Sequence, residues 1–447
     1  MSGCTVVFTP QAPGLFESRA AKQSLETFYN ITSLDSLGDF TRPMISAAGA
    51  LLAYIKATQI GNMPRLLVLR RVTDNGLLQI DAATRRSLEL TRTLNNERRG
   101  SLLYAVDRTC TASGGRLLNE RLSAPLADVS TIEARLDLVD WFRSHQQCCD
   151  DVRVQLRLQP DMQRALSRLS MGHGGPRDLS ALAVGLEGAA NIVSLVNKIL
   201  ASGLITVKPP KDLHVFLNEM QSPMPLVQKI LPALGNDMPL LARDGGFVRQ
   251  GYDPVLDELR KLRDESRQMI VALQSRYSRE TDIASLKIKH NNVLGYHIDV
   301  RAAHAYKLMD NDIFIHRQTT AQAVRFTTTE LAELERDMSS AVERALAHEL
   351  EIFQQLCELV AELADKITSA AKALAAIDVA TAAADLAASG DYCRPLMSSD
   401  CAFKIIKGRH PVIETMLDSQ SQFMPNDCDL AAGQIWLLTG PNMAGKS

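Results

Sequence analysis

Apolar residues recur at helical spacing along most of the chain. The period of about 3.6 residues extends from residue 82 to residue 236 and predicts a series of amphipathic helices. Short stretches that contain proline or glycine interrupt it at 124–125, 171–176 and 208–210. Aromatic residues make up only 5% of the chain, while leucine and alanine are abundant, and this composition also favours helix over sheet. We therefore expect a mostly α-helical protein.

Two long helices are predicted after Pro254, where about 140 residues follow without another proline. The first should start at Asp253 and Pro254, because an aspartate accepts hydrogen bonds from free amides and proline has the φ of the first helical turn. It should run to about Arg279. The second should start at the capping sequence 327–330 and continue to about Leu363, with a length on the order of 60 Å at ~1.5 Å per residue.

The segment between these two helices has a different period. From residue 285 to residue 326, apolar residues such as Tyr296, Ile298 and Val300 alternate with polar ones, which is the spacing of a β-strand. Two long helices joined by a small β-containing tip describe an arm. The tip is locally basic, since its cations Lys287, Lys289, Arg301, Lys307, Arg317 and Arg325 outnumber its acids Asp299, Asp310 and Asp312. It also contains the histidines His290, His297, His304 and His316.

The basic tip has two interpretations. Lysine and arginine are common on any solvated surface, so the cluster does not require a ligand. Alternatively, these side chains neutralise the phosphates of DNA without reading base edges. The net charge of −2 gives the chain as a whole no attraction to nucleic acid, so such a contact must come from a local patch. The arm geometry favours DNA contact, through Lys287, Lys289, Arg301, Lys307 and Arg317.

The eight cysteines are scattered, without a Cys-x-x-Cys pair or a histidine at the spacing of zinc ligands. Reduced, buried thiols of a cytosolic protein are the interpretation that this pattern favours. The sequence has no run of about 18 apolar residues and no N-terminal signal pattern, which predicts no membrane association. We expect a cytoplasmic protein.

Short β-type runs occur towards the end of the chain. Residues 403–406 and 435–438 are such runs, set among prolines and glycines, and the composition changes from about residue 376 onwards. We expect the first strands of an α/β domain here, whose parallel strands require helices that this chain does not include.

The residues after the predicted strand 435–438 fit the phosphate-loop pattern of glycine, four residues, glycine, lysine and serine. They are Gly440, Pro441, Asn442, Met443, Ala444, Gly445, Lys446 and Ser447. The glycines let backbone amides wrap around a phosphate, Lys446 would reach the β- and γ-phosphates of ATP, and the Ser447 hydroxyl would ligate Mg²⁺. The alternative is a glycine turn after an edge strand. We expect a nucleotide site that uses ATP and Mg²⁺.

Hydrolysis of ATP requires more than this loop. An acidic residue at the end of another strand must hold Mg²⁺ and orient water, and the loop normally precedes a helix whose dipole faces the phosphate. Neither follows Ser447 in this chain. We therefore expect a DNA-dependent ATPase in the complete protein and no hydrolysis by this chain alone.

Several stretches resemble one family, in the order in which that family has them. Residues 439–447, TGPNMAGKS, have the form that the phosphate loop takes in MutS mismatch-repair ATPases. Residues 408–412 resemble the approach to the family's ATPase domain, and 292–298 resemble its clamp strand. Residues 80–90 and 107–126 resemble the start of its core domain. Because these matches cover nearly the whole chain, it is similar to an internal part of a MutS protein.

The resemblance implies a domain order. Residues 1–30 would end a connector domain, 31–250 would form a helical core and lever domain, 251–375 would be lever helices with a DNA clamp at 284–326, and 376–447 would open an ABC-type P-loop ATPase domain. It also implies that Phe423 stacks on the adenine ring of ATP. From the residues alone, core packing is the more common role of such a side chain.

The resemblance further implies binding of mismatched double-stranded DNA and a homodimer in the complete protein. It implies a downstream repair factor of the MutL type as a partner, and a location in the cytoplasm at the nucleoid. Mismatch recognition in the family uses a Phe-x-Glu segment of an N-terminal domain. None of the 12 phenylalanines here has glutamate two positions later, so we expect mismatch recognition to lie outside this chain.

Two alternatives stay open. One is a MutS relative that acts in recombination without sensing mismatches. The other is a coiled-coil chromosome-organising ATPase, a class in which the phosphate loop precedes the long helices, whereas here it follows them.

Overall fold

The structure of the protein, a computed structural model, describes residues 10–59, 63, 66, 68–69, 76–202, 207–221, 224–291, 294–320, 322–400, 402–417, 423–431, 433–437 and 439–440. Helices account for 62% of the described residues. The prediction of a mostly α-helical protein with a small β-containing part is therefore confirmed.

The helices and strands of the described residues follow in chain order. The helices are α1 (Ser18–Tyr29), α2 (Arg42–Thr58), α3 (Ala82–Ser87), α4 (Leu102–Val106), α5 (Ala112–Ser123), α6 (Val129–Ser144), α7 (Gln146–Arg157), α8 (Met162–Ser170), α9 (Pro176–Ala201), α10 (Lys211–Gln221), α11 (Met224–Ala233), α12 (Pro254–Glu280), α13 (Tyr306–Met309), α14 (Thr329–Glu362), α15 (Ala364–Gly390) and α16 (Pro411–Met416). The strands are β1 (Lys287–Asn291), β2 (Gly295–Arg301), β3 (Ile315–Thr319), β4 (Ala323–Thr327), β5 (Phe403–Gly408) and β6 (Asn426–Leu430).

The chain divides into two compact units. The helical unit consists of Met1–His173, Ala181–Val227 and Leu363–Ser447. The arm unit consists of Gly174–Ser180 and Gln228–Glu362.

The central helix of the helical unit is α15, which packs against α5, α6, α7, α8 and α10. Residues 373–382 are all buried, and half of them are alanine, so the surrounding helices can approach closely. The helix ends at Gly390, well beyond residue 376, where the sequence predicts the start of the next domain. Alanine has the highest helix propensity, and the chain leaves the helix only at Asp391, which is in the left-handed conformation.

A separate hydrophobic cluster lies at the N-terminal end of the helical unit. Its buried centre is formed by Leu25 of α1, Leu34 of the turn between α1 and α2, and Leu52 of α2. The two helices are in close contact, because a Cβ at Gly49 would lie only 2.3 Å from the Cβ of Ala21. This packing continues past residue 30, the predicted domain boundary, so α1 and α2 belong to one folded element.

Two helices, Pro176–Ala201 and Ala364–Gly390, reach the length and mean hydropathy of a membrane span, at 1.7 and 1.3. The sequence shows no unbroken apolar run of that length, but an averaged hydropathy tolerates isolated polar residues. In these helices 56% and 78% of the apolar window is buried inside the protein. The core helix of a soluble protein has the same properties, so these helices are weak grounds for a membrane span.

The arm unit is built on α12 and α14, which pack along each other. The Asp253 carboxylate accepts the backbone N–H of Leu256 at 2.9 Å, and Pro254 is the first helical residue, as predicted. Thr328 caps α14 by accepting the N–H of Leu331 at 3.0 Å. The 34 residues of α14 span about 51 Å, so the predicted length of about 60 Å was too long, although the predicted end at Leu363 is only one residue from the observed Glu362.

The segment between α12 and α14 forms a four-stranded antiparallel sheet with the strand order β1-β2-β4-β3. Its apolar face carries the buried side chains of Ile298, Val300, Val324 and Phe326. These pack in one cluster with residues of both long helices, among them Leu331. The predicted arm with a β-containing tip is therefore present.

Towards the end of the chain, β5 pairs with β6 in a two-stranded antiparallel sheet, in agreement with the strand predicted at 403–406. The strand predicted at 435–438 is not present in the described residues 435–437. Ile435 and Leu437 are 94% and 85% exposed. A buried strand obtains its hydrogen bonds from neighbouring strands, and no described residue pairs with this segment.

Candidate nucleic-acid interface and nucleotide loop

The second face of the four-stranded sheet is polar. Residues paired across antiparallel strands point to the same side, and the register pairs Lys287 with Asp299 and Asp299 with Arg325. Positions two residues away along a strand share that side, which adds Lys289 and Arg301. We call this surface the polar face, defined by Lys287, Lys289, Asp299, Arg301 and Arg325.

The polar face has a positive charge that its acid only partly neutralises. Asp299 lies at its centre, with Oδ1 3.1 Å from the Lys289 Nζ and Oδ2 3.7 Å from the Arg325 Nε. Lys287 and Arg301 are exposed. With four cations and one carboxylate, the polar face has a net charge of 4 − 1 = +3. The shared carboxylate holds two of the cations in place and leaves the surface cationic.

Of the residues predicted to contact DNA, Lys287, Lys289 and Arg301 lie together on this face. Arg317 is exposed and lies where the register of β3 with β4 shifts, at the edge of the sheet. Arg325 also lies on this face, although it is not among the predicted DNA contacts. Its alternation with the buried Val324 and Phe326 would have placed it on the polar face.

Lys307 has a different environment. Its Nζ donates to the backbone carbonyls of Thr281 and Asp282, at 3.4 and 3.1 Å, and lies 3.4 Å from the Asp282 carboxylate. These bonds attach α13 to the two residues that follow α12. The ammonium group is thus engaged in the fold, and the structure does not place it with the cations of the polar face.

Three histidines of the tip have local partners. His297 is buried, with Nδ1 3.0 Å from the carbonyl of Gly295. His290 lies against the ring of Tyr296, and the Nε2 of His316 is 2.9 Å from the Thr319 hydroxyl. In the described residues, no cluster of histidine, cysteine and acidic side chains could hold a metal ion.

The sheet is attached to the arm through Glu335 of α14. Its Oε1 accepts the backbone N–H of Tyr296 at 2.9 Å. Gly295 is in the left-handed region, with φ +68°, and a Cβ there would lie 1.9 Å from the same carboxylate oxygen. Only glycine satisfies both the backbone conformation and the close approach. The start of β2 is thereby bonded to the second turn of α14.

A second contact joins the two long helices of the arm. The hydroxyl of Tyr277 on α12 lies 2.9 Å from the Thr328 hydroxyl that caps α14. Burial raises the pKa of Tyr277, so the phenol stays protonated and can donate. Arg276 pairs with Glu330 beside it.

The predicted nucleotide loop falls almost entirely outside the described residues. This applies to Pro441, Asn442, Met443, Ala444, Gly445, Lys446 and Ser447, whereas Gly440 is described. Phe423 is half-buried and precedes β6 by three residues. Its assignment to adenine and that of Ser447 to Mg²⁺ stay predictions.

The fold and this site together define a class of protein: a helical protein that carries a cationic sheet at the end of a two-helix arm. Comparison with known families identifies the class more closely. The family model for MutS domain III matches residues 83–384, and the model for MutS domain II matches residues 4–66. The chain belongs to the MutS family.

A curated relative gives the same result. The DNA mismatch repair protein MutS of Nitrobacter hamburgensis is 46% identical to this chain over 450 residues, which cover 98% of the chain and 49% of the relative. The chain thus spans about half the length of the curated relative that it matches.

Proposed function

We propose that the polar face binds the phosphate backbone of double-stranded DNA. The observation that carries this proposal is the grouping of Lys287, Lys289, Arg301 and Arg325 on one side of the sheet, with a net charge of +3. Lysine and arginine neutralise phosphates whatever the base sequence. This side of the sheet presents a cationic surface to solvent. It therefore suits contact with the backbone of a duplex, without sequence specificity.

The biological role that we propose is DNA mismatch repair. The relative from Nitrobacter hamburgensis is named for that role, and its match covers 98% of this chain. The complete protein would bind mismatched double-stranded DNA as a homodimer and signal to a downstream factor of the MutL type. It would act in the cytoplasm, at the nucleoid.

ATP and Mg²⁺ are the proposed cofactors of the complete protein. The support is the sequence of residues 440–447, in which Lys446 would bind the β- and γ-phosphates and Ser447 would ligate Mg²⁺. Phe423 would stack on the adenine ring. Turnover needs an acidic residue from another strand, so the ATPase activity is proposed for the complete protein and not for this chain alone.

For the domain order, the sequence predicts that residues 1–30 end the connector domain and 31–250 form the core and lever. Because the MutS domain II match covers residues 4–66 and α1 packs against α2, we propose that the connector domain extends to about residue 66. Residues 251–375 would be the lever helices with the clamp at 284–326, and 376–447 the start of the ATPase domain. The MutS domain III match ends at residue 384 and α15 ends at Gly390. Both positions favour placing the last boundary after α15.

DNA binding by the polar face can be tested with a charge-reversed chain, Lys287→Glu with Arg301→Glu. Both side chains are exposed and outside the apolar cluster, so the fold should be retained. Fluorescence anisotropy with a labelled duplex should show at least about tenfold weaker binding and a log Kd versus log salt slope shallower by about 2, since each phosphate contact contributes about 0.9.

The matched control is Lys261→Glu, which reverses an exposed charge on α12. It should leave both the affinity and the salt dependence unchanged. If the double variant binds the duplex as the unmodified chain does, the polar face is ordinary surface and the proposal is wrong.

A further inference from the structure

A cavity of about 550 Å³ lies in the helical unit, between the loop after α3, the end of α4, the first turns of α5, and α8. Four arginines, Arg92, Arg98, Arg116 and Arg164, line it. Asp107 is the acidic residue in its wall among the described residues. The cavity therefore contains far more cationic than anionic side chains, in a chain whose overall charge is close to zero.

The carboxylates at the cavity are already saturated. The Oδ1 of Asp107 accepts the backbone N–H and the hydroxyl of Thr109, at 3.0 and 2.6 Å, and Oδ2 pairs with Arg98. Asp161, at the start of α8, receives both Nη groups of Arg116, at 2.7 and 2.8 Å. The same Asp161 carboxylate also lies 3.5 Å from the Nε of Arg164.

The guanidinium groups, by contrast, have donors to spare. Each carries five N–H groups. Arg98, Arg116 and Arg164 pair with the two carboxylates Asp107 and Asp161, and with Arg92 the four guanidinium groups leave a net charge of 4 − 2 = +2. Among the described residues no carboxylate pairs with Arg92, which donates to the carbonyl of Asn96 at 3.0 Å. Arg98 and Arg164 have side chains that are 58% and 69% exposed, so a ligand can reach them.

We infer that this cavity binds a phosphoryl group of a nucleotide or of a nucleic-acid strand. A phosphoryl group offers several acceptor oxygens around one centre, which matches donors that converge from different elements. A terminal phosphate, with a charge near −2, offsets the surplus of +2; a diester, with a charge of about −1, offsets half of it but offers more acceptor oxygens than contact with one carboxylate oxygen would. The first turn of α5 also lines the cavity, and its amide dipoles favour an anion at the same place.

This site is independent of the proposed DNA contact and of the predicted phosphate loop. Its residues belong to the helical unit, whereas the polar face belongs to the arm unit. The loop at 440–447 could itself bind phosphate, so the test uses the chain with Lys446→Ala. If the loop at 440–447 proves not to bind nucleotide, the inference about the cavity still stands. If the cavity proves not to bind phosphate, the proposal for the loop still stands.

The experiment is a calorimetric titration of that chain with inorganic pyrophosphate at low ionic strength. Saturable binding at one site is expected. Arg92→Gln combined with Arg164→Gln should weaken it about tenfold or more, since two charge-assisted contacts are lost. Arg99→Gln removes an exposed arginine on the same loop that is outside the cavity wall. It should change the affinity less than about twofold.

Competition then identifies the source of the phosphoryl group. Displacement of pyrophosphate by ATP supports a nucleotide, and displacement by a short DNA duplex supports a nucleic-acid strand. Absence of saturable binding, equal loss in Arg99→Gln and in the double variant, or displacement by neither competitor would overturn the inference. If the double variant unfolds, as judged by circular dichroism, the single variant Arg92→Glu takes its place, because no carboxylate in the described part of the chain pairs with Arg92.

Discussion

The carboxylate of Asp378 accepts two hydrogen bonds from Thr111, one from its backbone N–H at 2.8 Å and one from its hydroxyl at 2.6 Å. A third comes from the backbone N–H of Cys110 at 2.8 Å. Asp378 lies in the middle of the buried helix α15, and Thr111 is the N-cap of α5. The central helix of the helical unit therefore holds the start of α5 through a fully buried carboxylate that accepts three hydrogen bonds.

Asp378→Asn should destabilise the chain by about 2–4 kcal/mol. The amide oxygen can replace one carboxylate oxygen, but the NH₂ group would face backbone and hydroxyl donors that it cannot satisfy. Chemical denaturation measures the difference in free energy of unfolding. Asp391→Asn is the matched control, because Asp391 is exposed in the left-handed region, which asparagine adopts readily. Equal stability of the two variants would show that the Asp378 bonds contribute nothing.

Two adjacent glycines of α5 should respond oppositely to alanine. A Cβ at Gly114 would lie 2.1 Å from the Asp378 Oδ2, whereas at Gly115 the nearest atom would be 3.4 Å away. Gly115→Ala should raise the stability by up to about 1 kcal/mol, since alanine is the better helix former. Gly114→Ala should lower it by about 1–3 kcal/mol through the collision. Thermal unfolding of the two variants compares them directly, and the same change in both would contradict the geometry.

The sequence predicts the arm well because its signals are local. Asp253 and Pro254 specify the first turn of α12, and the alternation around Ile298 specifies a strand, whatever the rest of the chain does. Both helices begin where their caps predict. The first ends at Glu280, one residue from the predicted Arg279.

Contacts between segments that are distant in the sequence could not be predicted from such local signals. Lys307 is the type of residue that contacts DNA, but its ammonium group donates a hydrogen bond to Asp282. Only the folded position of α13 brings the two residues together. The segment 435–438 has an apolar strand pattern, yet a buried strand also needs partner strands, and a local pattern does not contain them. The cavity arginines converge from α5, α8 and a loop, so no spacing in the sequence signals that Arg92 and Arg164 line one site.

The cysteines should differ strongly in reactivity. Burial raises the pKa of Cys148 to about 11 and that of Cys149 to about 12, so neither is a thiolate near pH 8. Cys393 is exposed. Alkylation with iodoacetamide at pH 8, resolved by peptide mass spectrometry, should label Cys393 within minutes and the adjacent pair only after denaturation. Labelling of Cys148 at the rate of Cys393 in the folded chain would contradict the buried packing of α7.

The position of the polar face should depend on Gly295. Gly295→Ala introduces a Cβ at φ +68° that would lie 1.9 Å from the Glu335 Oε1, so the carboxylate must leave the Tyr296 N–H that it binds. We expect a loss of about 2–4 kcal/mol from the backbone strain and the broken hydrogen bond together. Hydrogen exchange should accelerate at the amides of β1 and β2 and stay unchanged in α15.

Gly251→Ala separates the backbone strain from the broken hydrogen bond, because the φ of Gly251 is +87° and no atom lies within 4 Å of the new Cβ. It should show only the strain, about 1 kcal/mol. If both variants lose the same stability, or if exchange in β2 is unchanged in Gly295→Ala, Glu335 does not hold the sheet on the arm.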